Sequence, residues 1–156
     1  MGRRAWSCSW GRLLPFLVVD HGWRPGGAGT GVEAGDLVDA ALAGGLDYRV
    51  IVCEEGDEVL GYVCFGPTPM TEGTWDLYWI AVREQARKHG VGRRLIDQMM
   101  HELGSCGARL VRVETSGQPA YAATRAFYDR TKFEVVATIR DFYRTGDDLV
   151  VYGKYL

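Results

Sequence analysis

Three features of the chain predict an α/β domain with a mixed sheet. From Trp75 onward, β-rich runs alternate with helically spaced apolar residues. Two more β-rich runs lie upstream, on either side of a short acidic turn. The most strand-like run, Trp75 to Val82 (WDLYWIAV), passes through a glycine pair into the clearest helix. One core suffices for 156 residues, because folding at that length buries roughly 68–70% of the surface the unfolded chain exposes. With 47% hydrophobic and 24% charged residues and a net charge of −2, the composition is that of a globular chain, neither disordered nor membrane-spanning. Its bulk charge gives no argument for nucleic acid.

Residues 1–31 form a segment without a firm assignment, and the domain is expected over 32–156. Arg3 and Arg4 precede the apolar run Leu13 to Val19, but Pro15 interrupts that run and no small-residue cleavage site follows, which disfavours a secretory signal. A myristoylation pattern fails because Trp6 stands where Ser or Thr is needed. A cytoplasmic protein is expected. Residues 22–31 hold five glycines and a proline and read as a loop. After it, Leu37, Val38, Ala41 and Leu42 have helical spacing, and Gly44-Gly45 stops that helix.

Tyr48 to Cys53 and Val59 to Phe65 are strands, and the acidic connection Glu54 to Glu58 makes them a hairpin that Pro67 and Pro69 terminate. Trp75 to Val82 shows little alternation, as expected of a central strand covered on both faces. From Val91 the apolar residues Leu95, Ile96, Met99, Met100 and Leu103 mark one face of a helix, with Gly104 as its stop. A strand from Ala108 to Thr115, a helix from about Ala120 to Arg130, and strands Phe133 to Ile139 and Asp148 to Tyr155 complete the order. The four cysteines, Cys8, Cys53, Cys64 and Cys106, lack metal-ligand or C-x-x-C spacing, so no metal is expected and Cys53 and Cys64 read as packing residues.

Chemistry concentrates at Arg87 to Leu95 (RKHGVGRRL). A strand that feeds a glycine turn and then a helix leaves the first helical N–H groups unpartnered and adds the positive end of the helix dipole. Such a turn binds anions, and Arg87, Lys88, Arg93 and Arg94 add charge suited to a phosphate or pyrophosphate. A dinucleotide fingerprint would need Gly where Leu95 stands, and a P-loop would need G-K-S/T where the chain has Gly92-Arg93-Arg94. On spacing alone, a plain tight turn with solvated charges explains the stretch equally well.

Arg87-Lys88-His89-Gly90-Val91-Gly92 resembles the Q/R-x-x-G-x-G/A signature of the GNAT superfamily of N-acetyltransferases, between a strand and a long amphipathic helix as in that family. Thr124 to Phe133 (TRAFYDRTKF) is similar to the family's A-x-x-F-Y-x-x-x-G-F segment. The resemblance implies a mostly antiparallel mixed sheet flanked by helices and splayed at its central strands. It implies acetyl-CoA as cosubstrate, its pyrophosphate held by the backbone of Arg87, Lys88, His89, Gly90, Val91, Gly92 and Arg93. The backbone at Ile80, Ala81 and Val82 would meet the pantetheine arm and polarise the thioester carbonyl. Tyr128 falls where the family's general acid stands, and a phenol of pKa about 10 is protonated at neutral pH. Asp76 falls where some members carry the base that takes the amine proton. For each of the two there is a plainer reading, a core aromatic and a hydrogen-bonding carboxylate.

Between the last two strands, Asp141, Phe142 and Tyr143 lie where the family borders its acceptor pocket. They suit an ammonium group and its carbon stem, and they equally suit an exposed hairpin connection. The chain departs from the family at Tyr121, where Asn is common, and at Lys132, where Gly precedes Phe; its front end also has fewer clear helices. The resulting expectation is transfer of an acetyl group to a primary amine of a small molecule or peptide, with no nucleic-acid or membrane partner and room for a homodimer. The alternative is a non-catalytic acyl-CoA-binding sensor or interaction module.

Overall fold

The computed structural model describes residues 7–9, 48–56 and 58–156. In chain order the elements are β1 (Ser7–Ser9), β2 (Arg49–Glu55), β3 (Glu58–Pro67), β4 (Thr74–Val82), a 3-10 turn (Glu84–Ala86), α1 (Val91–Ser105), β5 (Leu110–Ser116), a second 3-10 turn (Pro119–Tyr121), α2 (Ala122–Arg130), β6 (Glu134–Arg144) and β7 (Asp147–Tyr155). Neighbouring strands follow the order β1-β2-β3-β4-β5-β7-β6. β4 and β5 are parallel, while β1–β2, β2–β3, β5–β7 and β6–β7 are antiparallel, so the sheet is mixed as expected. The expected loop at 22–31, the run Leu13 to Val19 and the helix around Leu37 to Leu42 lie outside the described residues.

The chain divides into two compact units, one comprising Met1–Phe65 and Trp79–Met99, the other Gly66–Tyr78 and Met100–Leu156. In the first unit, the β2–β3 hairpin turns at Gly56, whose φ of 62° is the left-handed conformation glycine adopts without strain. Residues Val50–Cys53 and Val59–Phe65, Gly61 included, are buried without alternation, so both faces of the hairpin are covered. Cys53 and Cys64 are fully buried, and burial pushes the Cys64 thiol up to about 12, the behaviour of a packing residue. Gly61 is required there, since a Cβ would lie 2.6 Å from the Ala81 carbonyl oxygen. On α1, Val91, Leu95, Ile96 and Met99 are buried on the face their spacing predicts.

In the second unit, β4 pairs with β5 only over Thr74–Asp76 against Leu110–Arg112. No further pair joins them, although β4 runs on to Val82 and β5 to Ser116. This is the splay. β4 is correspondingly buried over Trp75–Leu77 but only half-buried from Tyr78 to Val82, where full cover was expected. β7 lies between β5 and β6, and its Tyr152 packs beneath α2 against Tyr128.

Two boundaries differ from expectation. α1 continues through Gly104 to Ser105, and the residue that turns the chain is Gly107, at φ 73°, with the Ala108 N–H bonded back to the Leu103 carbonyl at 3.2 Å. Gly104 is helical because the stop needs a left-handed residue, and Gly107 supplies it. β6 continues past Ile139 to Arg144, leaving only Thr145 and Gly146 as the turn, where the sequence suggested a connection over Arg140 to Asp148. An irregularity in its pairing with β7 between Ile139 and Arg144, with Asp141 at φ 52°, lets the strand resume.

Candidate functional site

The first unit holds the glycine turn. β4 ends at Val82, the 3-10 turn follows, and the Arg87 Nε donates to the Val82 carbonyl at 3.3 Å, tying the loop to the strand end. Lys88 at φ 64° and Gly90 at φ 83° are both left-handed, which folds the loop sharply before the helix. The first hydrogen bond of α1 runs from the Arg94 N–H to the Gly90 carbonyl, 3.0 Å. The N–H groups of Val91, Gly92 and Arg93 therefore have no carbonyl to bond inside the helix, and they sit at its positive end.

Arg87, Lys88, His89 and Gly90 are exposed, whereas Val91 is buried and anchors the first turn of the helix. Arg93 shares its charge with Asp97 one turn on, at 3.6 Å. Arg83 is ion-paired with Glu58, so its charge is already engaged beside the loop. Ile80, Ala81 and Val82 are half-buried at the end of β4, with the Ala81 carbonyl pressed against Gly61. Together these features set unpartnered helical N–H groups beside exposed basic side chains, an arrangement with the chemistry to meet an anion.

The second unit holds the remaining candidates. Tyr128 is buried on α2, its ring 5.7 Å from Phe133 and 5.5 Å from Tyr152. Burial, with a smaller effect of Tyr152, raises its phenol well above the ordinary range, so the proton is held firmly. Asp76 is also buried. Its Oδ2 accepts from the Thr68 hydroxyl at 2.8 Å and its Oδ1 is ion-paired with Arg112, which is also paired with Glu114 at 3.0 Å. Both carboxylate oxygens are thus engaged where the β4–β5 ladder ends.

Asp141 is exposed; its carboxylate accepts from the Gly146 N–H at 2.6 Å, while its own N–H donates to Asp148 Oδ1 at 3.0 Å. Phe142 is exposed and meets Tyr143 edge-on at 5.0 Å. Tyr143 is half-buried, and burial followed by the carboxylates of Glu114 and Asp147 raises its phenol. Of the three substrate candidates, Tyr143 is the one whose side chain faces charged groups of both β5 and β7.

Several partners went unread in the sequence. Arg125 Nη1 on α2 donates to the carbonyls of Ser116 at 2.7 Å and Gln118 at 2.8 Å, and the Ser116 hydroxyl donates to Asp147 at 2.5 Å. These bonds fix α2, and with it Tyr128, to the ends of β5 and β7. The period-two pattern of β5, which puts Arg112, Glu114 and Ser116 on one face with Asp76, was the available signal.

Residues 46–135 match the acetyltransferase (GNAT) domain family. A crystallised protein from Desulfovibrio desulfuricans, assigned as an acetyltransferase of the GNAT family, is 44% identical with a TM-score of 0.76, covering 78% of each chain. A ribosomal-protein-alanine N-acetyltransferase from Brucella melitensis is 25% identical, TM-score 0.60, over 77% of this chain and 74% of that one. An aminoglycoside 6'-N-acetyltransferase complexed with coenzyme A shares the fold at 15% identity, TM-score 0.66, over 79% and 81%. No curated protein matches the chain.

Proposed function

The chain belongs to the GNAT acetyltransferase family, and from that premise we propose that it transfers an acetyl group from acetyl-CoA to a primary amine of a small molecule or peptide. The observation that carries this reading is the left-handed turn at Lys88 and Gly90 opening α1 with free N–H groups, on the family's Q/R-x-x-G-x-G/A residues. When bound, acetyl-CoA supplies the acetyl group as an activated thioester. Arg87 to Arg93 hold its pyrophosphate through backbone N–H groups. The unpaired edge at Ile80, Ala81 and Val82 receives the pantetheine arm and offers an N–H to the thioester carbonyl oxygen, where negative charge develops.

The amine nitrogen forms a bond to the carbonyl carbon and loses a proton, the carbon–sulfur bond breaks, and the sulfur gains a proton. Tyr128 gives that last proton, since its buried phenol is protonated at all ordinary pH values. Asp76 takes the amine proton, through a water because both of its oxygens already have partners. Tyr143 lines the acceptor side with Phe142 and Asp141, a set that suits an ammonium on an apolar stem. The two acceptor classes are those that the aminoglycoside and ribosomal-protein enzymes act on by name.

The engagement of Asp76 favours one second reading, an acyl-CoA-binding module without turnover. Mixing the protein with acetyl-CoA and a panel of amines and N-terminal peptides, and following free thiol, separates the two. Amine-dependent thiol release supports transfer, and its absence across the panel despite acetyl-CoA binding supports the module.

A further inference from the structure

Acetyl transfer as read above asks a buried carboxylate to take a proton through a water, and its neighbours fix that carboxylate from two sides. β4 and β5 pair over three rungs, and Asp76 opposite Arg112 is the last of them before the strands part. Residues opposite each other in a ladder point to the same face, so these two side chains leave the sheet together. The Arg112 Nε is ion-paired with Asp76 Oδ1. Its Nη1 donates to Glu114 Oε1 at 3.0 Å, two residues further along β5 on the same face, where β4 no longer pairs. One guanidinium therefore spans two carboxylates, the buried Asp76 and the exposed Glu114.

A guanidinium is planar, always charged and donates in a fixed fork, so carboxylates on its Nε and Nη1 are kept at a set separation and angle. Glu114 braces one side of the fork, and the other side grips Asp76. With the Thr68 hydroxyl on Oδ2 at 2.8 Å, the Asp76 carboxylate cannot turn without losing a partner. Orientation is what such a base needs, because proton transfer through a single water requires an oxygen lone pair aimed at that water. Taking the transfer reading, with Asp76 as its base, as the premise, we propose that Arg112 is a positioning residue for the reaction. It acts through Asp76, holding that carboxylate in the orientation from which, through a water, it receives the amine proton.

Double-mutant kinetics on the full chain test this, following free thiol with acetyl-CoA and whichever amine or N-terminal peptide of the panel gives the fastest release. Arg112→Lys keeps the charge and loses the fork. It should lower kcat about fivefold, with the KM for the amine, acetyl-CoA affinity and Tm nearly unchanged. Arg112→Met should lower kcat about tenfold or more. In an Asp76→Asn chain neither change should lower kcat further, because the carboxylate they act through is gone. A loss of the same size in both backgrounds would mean that Arg112 supports only the fold, and overturns the proposal. Wild-type turnover in both Arg112 variants overturns it as well. A wild-type chain that binds acetyl-CoA but releases no thiol with any amine overturns the transfer reading itself, and this role with it.

Discussion

Tyr128 packs as a core residue, and the general-acid role proposed for it rests on its place in the family's motif. The sequence offered those as alternatives, and the aromatic cluster with Phe133 and Tyr152 makes them compatible, since the cage that buries the ring also keeps its proton in place. Tyr128→Phe keeps the packing and removes the proton. It should lower kcat about tenfold or more while leaving acetyl-CoA affinity and Tm nearly unchanged. Equal turnover in the variant would assign Tyr128 to packing alone. Asp76 is the harder residue, because its hydrogen-bonding partners were not legible: Thr68 and Arg112 come from segments that only the fold brings beside it. If it accepts the amine proton, Asp76→Asn removes the acidic limb of the kcat/KM profile and costs about tenfold or more. An acidic limb identical to the wild type would leave Asp76 as the anchor of the β4–β5 ladder.

At the scale of elements, the strand-to-helix turn was readable because glycines and periodicity agree there, whereas the helix ends were not. Gly104 and Gly107 look alike in sequence, and only the left-handed φ at Gly107 distinguishes the stop from the helical residue. α2 shows the converse. Lys132 stands where the family has glycine, yet it adopts φ 67° and closes the same cap, with its N–H bonded to Asp129, the Phe133 N–H to Tyr128, and the Phe133 ring on that tyrosine. A side chain in that conformation costs about 1 kcal/mol. Lys132→Gly should therefore stabilise the protein by about that amount, roughly 2–4 °C in Tm by thermal unfolding, with turnover unaffected. A lower Tm would mean that the Lys132 side chain makes a stabilising contact. β6 was read short for a related reason: Gly146 and the aspartates resemble a loop, and the irregular pairing that lets the strand resume leaves no mark in the sequence.

For the molecule as a whole, the class and the succession of elements along the chain from β2 onward were legible, because each rests on local patterns. The splay between β4 and β5 was not, since it is an absence of pairing, and only the family resemblance pointed to it. Ionisation gives a prediction at this scale. Burial raises the phenols of Tyr62 and Tyr128, so the folded chain keeps their protons above pH about 10, where the unfolded chain releases them. Their contribution to stability is complete below that pH and is lost as pH rises further. The urea midpoint should fall steeply above pH about 10, and less steeply in Tyr128→Phe; an equal slope would mean that Tyr128 is not buried in solution.

The central claim is that the turn from Arg87 to Arg93 holds acetyl-CoA, and calorimetric titration with acetyl-CoA of the wild type and of Gly90→Val tests it most directly. A Cβ at Gly90 would meet nothing within 4 Å, so the variant acts only through the φ of 83° that valine resists. Saturable binding by the wild type, weakened about tenfold or more in Gly90→Val with Tm lowered by only several degrees and the chain still folded, is the expected result. A wild type that does not bind acetyl-CoA, or a variant that binds it equally well, would contradict the account.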